Sequence, residues 1–124
     1  MIQRVRNISN KKLEEIITGL AFGKLNKLLP VKRIIETEKT VSFHHPHPNY
    51  EMHVVIVPKK AIKNLHHMKE HDYEYLQDMI SVARHIIKKF ALGEKYYKLI
   101  INGGSTQKIK QLHMHLVSEK ELIN

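Results

Sequence analysis

The alternation of hydrophobic and polar positions predicts an α+β fold. Two stretches, 10–28 and 72–92, place apolar residues at the i, i+3, i+4 spacing of amphipathic helices. Short runs rich in β-branched and aromatic residues, typical of strands, occupy 32–36, 39–44, 52–57, 96–101 and 111–117. This order favours a mostly antiparallel five-stranded sheet with one long helix and one N-terminal helix. Residues 1–8 are expected to form an irregular or extended lead-in.

Residues at the helix ends refine this prediction. Pro30 ends the first helix, whose apolar stripe is typical of core packing, although Phe22 and Leu25 could also form the wall of a ligand pocket. Asp72 is a good N-cap for the second helix, and Gly93 is expected to be its C-terminal glycine.

The last strand, 111–117, carries the most informative pattern. Successive side chains of a strand point to opposite faces, so Gln111, His113 and His115 are predicted to share one face. The opposite face, with Leu112, Met114 and Leu116, then needs cover from the 72–92 helix. The glycine-bearing loop 102–108 just upstream suggests a phosphate held by backbone N–H groups beside the histidines.

Composition and charge narrow the function classes. The 124 residues suit one domain, predicted as an N-terminal extension over 1–19 and a core over 20–118. The chain has no apolar run long enough for a membrane span, no secretory signal and no cysteine, which is compatible with a cytoplasmic location. A net charge of +9, spread along the chain, favours phosphate-bearing small ligands over a dedicated nucleic-acid surface.

Four ordered blocks resemble the histidine triad family, and most of all its Hint-type nucleotide hydrolases. The first is Phe22-Gly23-Lys24-Leu25 followed by Pro30, and the second runs from Phe43 to Lys60 through Pro48 and His53. The third is the strand 97–104, which ends in Asn-Gly-Gly. The fourth is Gln107 with His113-Met114-His115.

The resemblance implies a homodimer with a purine-nucleotide pocket and chemistry at the α-phosphate. By position, His113 would attack phosphorus and form a covalent nucleotidyl-histidine that water hydrolyses. His115 would bind a phosphate oxygen, and His53 would orient this pair. The resemblance also assigns phosphate contacts and nucleoside contacts. The phosphate-binding residues would be Asn102, Gly104, Gln107 and Lys108. The nucleoside-binding residues would be Phe22, Leu25, Phe43, His45 and Val55.

Two residues depart from the family pattern. Gln111 stands at the first histidine of the triad and cannot titrate near neutral pH, and His45 stands where the family has a ribose-binding aspartate. These departures keep a second hypothesis open, a phosphate-binding or nucleotide-binding module with little or no turnover. A basic protein associated with nucleic acid is the third hypothesis.

Further histidines raise the question of a metal. His44, His45 and His47 could together bind a divalent ion, but we favour solvated loop histidines near the phosphate site. The pair His66-His67 is expected at the surface. The sequence therefore predicts no definite metal or cofactor.

Overall fold

The computed structural model describes residues 2–23 and 31–121. Helix α1 spans Ile2–Ala21 and helix α2 spans Tyr73–Lys89. The strands are β1 Arg33–Glu36, β2 Thr40–His44, β3 Tyr50–Pro58, β4 Tyr97–Ile101 and β5 Met114–Glu121. The predicted α+β class and the five-stranded antiparallel sheet are confirmed. Neither α1 nor α2, as far as the structure describes the chain, is long and apolar enough to cross a membrane.

The sheet has the strand order β1-β2-β3-β5-β4, and every neighbouring pair is antiparallel. Strand β3 therefore lies at the centre, between β2 and β5. Its register places Val55 opposite Phe43 on one side and opposite His115 on the other. Strands β2 and β5 therefore run in the same direction on either side of β3, and this pairing sets His115 level with Phe43 and Val55.

Helix α2 covers one face of the sheet. Met79, Val82, Ala83 and Ile86 form its buried stripe. They pack against the sheet residues Val54, Ile56, Leu112, Met114 and Leu116. The prediction that this helix covers the apolar side of the last strand is confirmed.

Helix α1 covers the opposite face. Its buried side chains are Leu13, Ile16, Ile17 and Leu20, and the sheet contributes Val41, Phe43, Val55 and Val57. Because side chains two apart on a strand share a face, His53 lies on the α1 side next to Val55. The candidate site therefore lies on the sheet face that α1 covers.

Several predicted boundaries were wrong. The first helix begins at Ile2, so residues 2–8 are helical and not an irregular lead-in. It ends at Ala21, and Gly23 follows with φ +68°, which glycine adopts at little cost. Leu25 and Pro30, for which we predicted a pocket wall and a helix stop, lie outside the described residues.

The end of α2 also differs from its prediction. The left-handed residue is Ala91, with φ +53°, and not Gly93. The amide of Ala91 donates to Lys88 O and that of Leu92 donates to Ile87 O, which is the hydrogen-bond pattern of a Schellman cap. Leu92 is 2% exposed, so its burial fixes this turn although the residue before it is not a glycine.

Candidate active site

Four imidazoles meet on the α1 side of the sheet. The ring centroids of His113 and His115 are 4.9 Å apart, those of His115 and His53 are 5.0 Å apart, and those of His53 and His45 are 4.4 Å apart. Strands β3 and β5 hold the middle of this row, while His113 precedes β5 and His45 follows β2. The structure thus brings together His113, His115, His53 and His45 as the sequence predicted.

The ring of His113 has one fixed tautomer. Its Nδ1 lies 2.8 Å from the backbone carbonyl oxygen of Gln111. A carbonyl oxygen only accepts hydrogen bonds, so Nδ1 carries the proton and Nε2 keeps its lone pair. Within the described part of the chain, Nε2 has no hydrogen-bond partner and is not among the buried unpaired atoms. An accessible, unpaired lone pair is what a nucleophile requires.

A backbone amide fixes the tautomer of His53, and His53 in turn fixes that of His115. The amide of Asn49 donates to Nδ1 of His53 at 3.1 Å. The proton of His53 therefore lies on Nε2, which donates to Nδ1 of His115 at 2.8 Å. That leaves the proton of His115 on its Nε2, which is therefore a hydrogen-bond donor.

Burial keeps this cluster neutral. Loss of hydration lowers the pKa of His53 to about 4. Burial, with the neighbouring histidines, lowers the pKa of His45 to about 3 and that of His115 to about 2. Burial also lowers the pKa of His113, against a smaller opposite effect of its bond to Gln111. All four rings are therefore uncharged near pH 7, and the nucleophile candidate is in its basic form.

Gln111 does not point along the histidine face, contrary to the prediction. Strand β5 begins only at Met114, so the alternation does not extend back to residue 111. The side-chain Oε1 accepts from the amide of Ile62 at 3.1 Å, and Nε2 donates to Lys60 O at 2.9 Å. The amide group is thus occupied by the backbone of the segment that follows β3.

Gln107 joins the same segment four residues earlier. Its Oε1 accepts from Asn64 Nδ2 at 3.0 Å and its Nε2 donates to Lys63 O at 2.6 Å. The side chain is 4% exposed. Gln107 therefore holds the loop to this segment through both polar atoms of its amide, and its predicted phosphate contact stays a prediction.

The glycine-bearing loop forms a single 3-10 turn over Gly104–Thr106. Gly104 has φ +57°, a conformation that favours glycine. The amides of Thr106 and Gln107 donate to Gly103 O and Gly104 O, so these two N–H groups are used within the turn. Asn102 is partly exposed and Lys108 is exposed on either side of it, which leaves both side chains accessible to a ligand.

The predicted nucleoside-binding residues differ in their placement. Phe43 and Val55 are 0% exposed and pack under α1, so they belong to the core beneath the site. Phe22 is 56% exposed at the end of α1. His45 lies in the histidine cluster, 8% exposed.

His44, at the end of β2, and the two histidines that follow it have different surroundings, and the ring centroid of His44 lies 6.2 Å from that of Phe90. His45 is buried against His53, so its predicted solvation was wrong, whereas His47 is exposed. In the ranges 2–23 and 31–121, no group of three or more histidine, aspartate or glutamate side chains is arranged to hold a metal ion. The predicted exposure of His66 and His67 is confirmed.

Sequence reasoning missed the main-chain groups that orient the rings. The amides of His47 and Asn49 and the carbonyl of Gln111 determine which nitrogen of each imidazole carries the proton. No residue type signals such a contact, because every residue except proline has the same amide.

The sequence of this chain matches a known protein family. The HIT domain profile matches residues 26–122. The chain belongs to the histidine triad family. It is 34% identical over 104 residues to a HIT-like protein of Buchnera aphidicola, an alignment that covers 82% of this chain and 93% of that protein.

Another histidine triad relative has a named activity. The adenosine 5'-monophosphoramidase HNT1 of Candida albicans is 32% identical over 101 residues, which cover 75% of this chain and 64% of that protein.

Solved structures of the family match the fold. A histidine triad protein from Clostridium difficile superposes with a TM-score of 0.73 at 25% identity, covering 88% of this chain and 93% of that one. The histidine triad nucleotide-binding protein from Candida albicans gives a TM-score of 0.68 at 30% identity, covering 88% and 74%. Family membership and fold therefore agree, and the chain is related to hydrolases and nucleotide-binding proteins.

Proposed function

We propose that this protein is a nucleotidyl hydrolase or transferase that acts at the α-phosphate of a purine nucleotide through a covalent intermediate on His113. The observation that carries the proposal is the tautomer of His113, with Nδ1–H bound to Gln111 O and Nε2 unpaired. The similarity to the Candida albicans phosphoramidase supports a phosphoramidate as the substrate type. A dinucleoside polyphosphate is the other substrate type that the proposal includes.

In the first step, the lone pair of His113 Nε2 forms a bond to phosphorus. The bond from phosphorus to the leaving group breaks, its electron pair departs with the leaving atom, and that atom takes up a proton from solvent. The imidazole keeps its Nδ1 proton and becomes cationic, so its hydrogen bond to Gln111 O strengthens. In the second step, water attacks phosphorus, the P–N bond breaks, and its electron pair returns to Nε2. The proton of the water passes to solvent.

His115 and His53 stabilise the phosphate in this mechanism. Nε2–H of His115 donates to a non-bridging phosphate oxygen, and charge on that oxygen grows as the P–N bond forms. The hydrogen bond from His53 prevents His115 from placing its proton on the inner nitrogen. We assign further donors to the phosphate to Asn102, Lys108 and the backbone at Gly104, which lie on the loop that precedes His113.

A phosphate-binding or nucleotide-binding module with weak turnover is the second candidate. It is favoured by Gln111, whose amide is bound to Lys60 and Ile62 and cannot ionise. In that case the histidine cluster would bind a phosphate without breaking a bond at phosphorus.

A trapping experiment separates the two candidates. The protein is mixed with an adenosine phosphoramidate and with a dinucleoside polyphosphate, quenched within seconds, and analysed by intact-mass spectrometry. We expect an added nucleotidyl mass that maps to His113 and is absent from His113→Ala. Nucleotide binding by calorimetry without adduct or turnover would instead support the binding module.

We further propose that the protein is a homodimer joined through β4. This strand is at the edge of the sheet, and on its far side no strand pairs with it within the described part of the chain. Tyr97 and Leu99 lie on one face of β4 and are 42% and 36% exposed. An uncovered edge with apolar side chains favours pairing with a second copy in a symmetric interface.

Light scattering coupled to gel filtration measures this assembly directly. We expect twice the mass of one chain, and a shift towards the mass of one chain for Leu99→Glu. A carboxylate in a paired edge would be desolvated, whereas the exposed Ile80→Glu on α2 provides a matched control. A wild-type mass of one chain would rule out the dimer. The predicted cytoplasmic location remains a prediction.

A further inference from the structure

His45 is the one ring of the histidine cluster that the proposed reaction leaves unused. Its centroid is 4.4 Å from that of His53 and 6.3 Å from that of His115, with a 28° angle between the His45 and His115 planes. The side chain is buried, yet its Nε2 is not among the buried unpaired atoms of the described residues. One nitrogen of this ring is therefore open to a ligand that occupies the site.

The open nitrogen of His45 is a donor. The amide of His47 donates to His45 Nδ1 at 2.9 Å, so the proton of a neutral ring lies on Nε2. The ring can thus give a hydrogen bond to a ligand but cannot accept one from a hydroxyl group. A sugar diol offers two O–H donors, which His45 cannot accept. The diol can bind here only when one of its oxygens accepts the hydrogen bond from His45, and a neutral hydroxyl oxygen is a weaker acceptor than a charged oxygen.

The surroundings of His45 favour an anionic acceptor. Burial is the main cause that lowers the pKa of His45, and no carboxylate is among the groups that contribute to this shift. The whole chain carries a formal charge of +9. A hydrogen bond from a neutral donor to a charged oxygen is roughly twice as strong as one to a neutral oxygen.

We propose that His45 forms a second acceptor subsite, which selects substrates that carry a phosphate group on the sugar beside the reacting phosphate. The inference rests on the proposed function, because His113 and His115 place the reacting phosphate. The rings follow the order His113, His115, His53 and His45, so His45 lies at the far end of the row from the attacking nitrogen, on the side that we assign to the sugar. A 2′-phosphate or a 3′-phosphate supplies the required anionic oxygens.

The test compares three substrates on the wild-type protein. They are an adenosine 5′-phosphoramidate with a free 2′,3′-diol and the same compound with a 2′-phosphate or with a 3′-phosphate. We expect kcat/KM to be about 10- to 100-fold higher for at least one phosphorylated compound, as the strength of a hydrogen bond to a charged group implies. The two phosphorylated compounds show which position fits. Equal or lower kcat/KM for both would overturn the proposal.

Two variants assign the preference to His45. His45→Phe keeps a flat ring against His53 without a donor, and we expect the ratio of phosphorylated to diol substrate to fall to about 1. His45→Asp replaces the donor with a charged acceptor, and the ratio should then fall below 1, in favour of the diol. An unchanged ratio in both variants would overturn the proposal.

Binding to His113→Ala separates this inference from the proposed function. Calorimetry with the corresponding 5′-monophosphates measures the subsite without any turnover. Tighter binding of a phosphorylated monophosphate supports the subsite even where wild-type protein forms no adduct. Turnover of the diol compound with no gain from either added phosphate would keep the proposed function and overturn the subsite.

Discussion

Gln111→Ala tests whether this glutamine acts through the backbone that it binds. In the wild-type protein, its side chain satisfies the amide of Ile62 and the carbonyl of Lys60. Ile62 is 4% exposed, so its amide would lose its partner without access to water, at a cost of about 1–3 kcal/mol. Lys60 is partly exposed and its carbonyl can turn to solvent, which adds about 1 kcal/mol. The expected loss of stability is therefore roughly 2–4 kcal/mol.

Urea unfolding at pH 7.5 measures this difference. The substitution should lower the urea concentration at the midpoint of unfolding. The slope of the unfolding free energy against urea concentration should stay the same, because the surface exposed on unfolding changes little. Gln77→Ala is the matched control, because Gln77 is exposed on α2 and its loss should change stability by about 0.5 kcal/mol or less. If Gln111→Ala were as mild as Gln77→Ala, the two hydrogen bonds would not stabilise the loop and the reasoning would be refuted.

Three further predictions concern stability. Ala91→Gly should raise the free energy of unfolding by about 1 kcal/mol, because Ala91 has φ +53°; a loss in urea unfolding would contradict this. Met79→Ala should lower the free energy of unfolding by about 2–5 kcal/mol, because it leaves a cavity under α2. A loss below about 1 kcal/mol would show that neighbouring side chains fill the cavity and would contradict this prediction. Acidification from pH 7 to 5 should destabilise the fold, because burial lowers the pKa of His45 to about 3 and of His53 to about 4. The unfolded chain then binds protons that the folded chain does not, so stability present above pH 6.5 is lost by about 2 kcal/mol per histidine. Thermal unfolding across this range would contradict the reasoning if the midpoint stayed constant.

The fold could be predicted from the sequence because its elements have clear periodicity. The apolar stripe of α2 and the alternation from Leu112 to Leu116 predict which side chains are buried. In the structure, the side chains of these two stretches pack against each other. Burial depends on residue type, so it leaves a pattern that can be read without coordinates. The end of α2 could not be predicted in this way, since burial of Leu92 overrides the preference for glycine at Ala91.

The proximity of the four histidines was also predictable, but the hydrogen bonds within the candidate site were not. The four blocks identify His113, His115, His53 and His45, and the sheet register brings their rings together. The partners of Gln107 and Gln111 lie more than forty positions away on a backbone segment. A side chain that binds backbone atoms has no partner residue type that the sequence could reveal. The alternating pattern was therefore the only guide for Gln111, and it predicted the wrong face.

The main-chain amides that orient His53 and His45 have a consequence for how ionic strength affects binding. A carboxylate in that role would add a negative charge behind each ring, whereas an amide adds none. No aspartate, glutamate or lysine is among the causes that shift the pKa values of the four clustered rings. An arriving phosphate therefore meets dipoles inside the pocket and net positive charge mainly outside it. Added salt should slow the capture of a nucleotide, through screening of the outer lysines, more than it shortens the time the nucleotide stays bound.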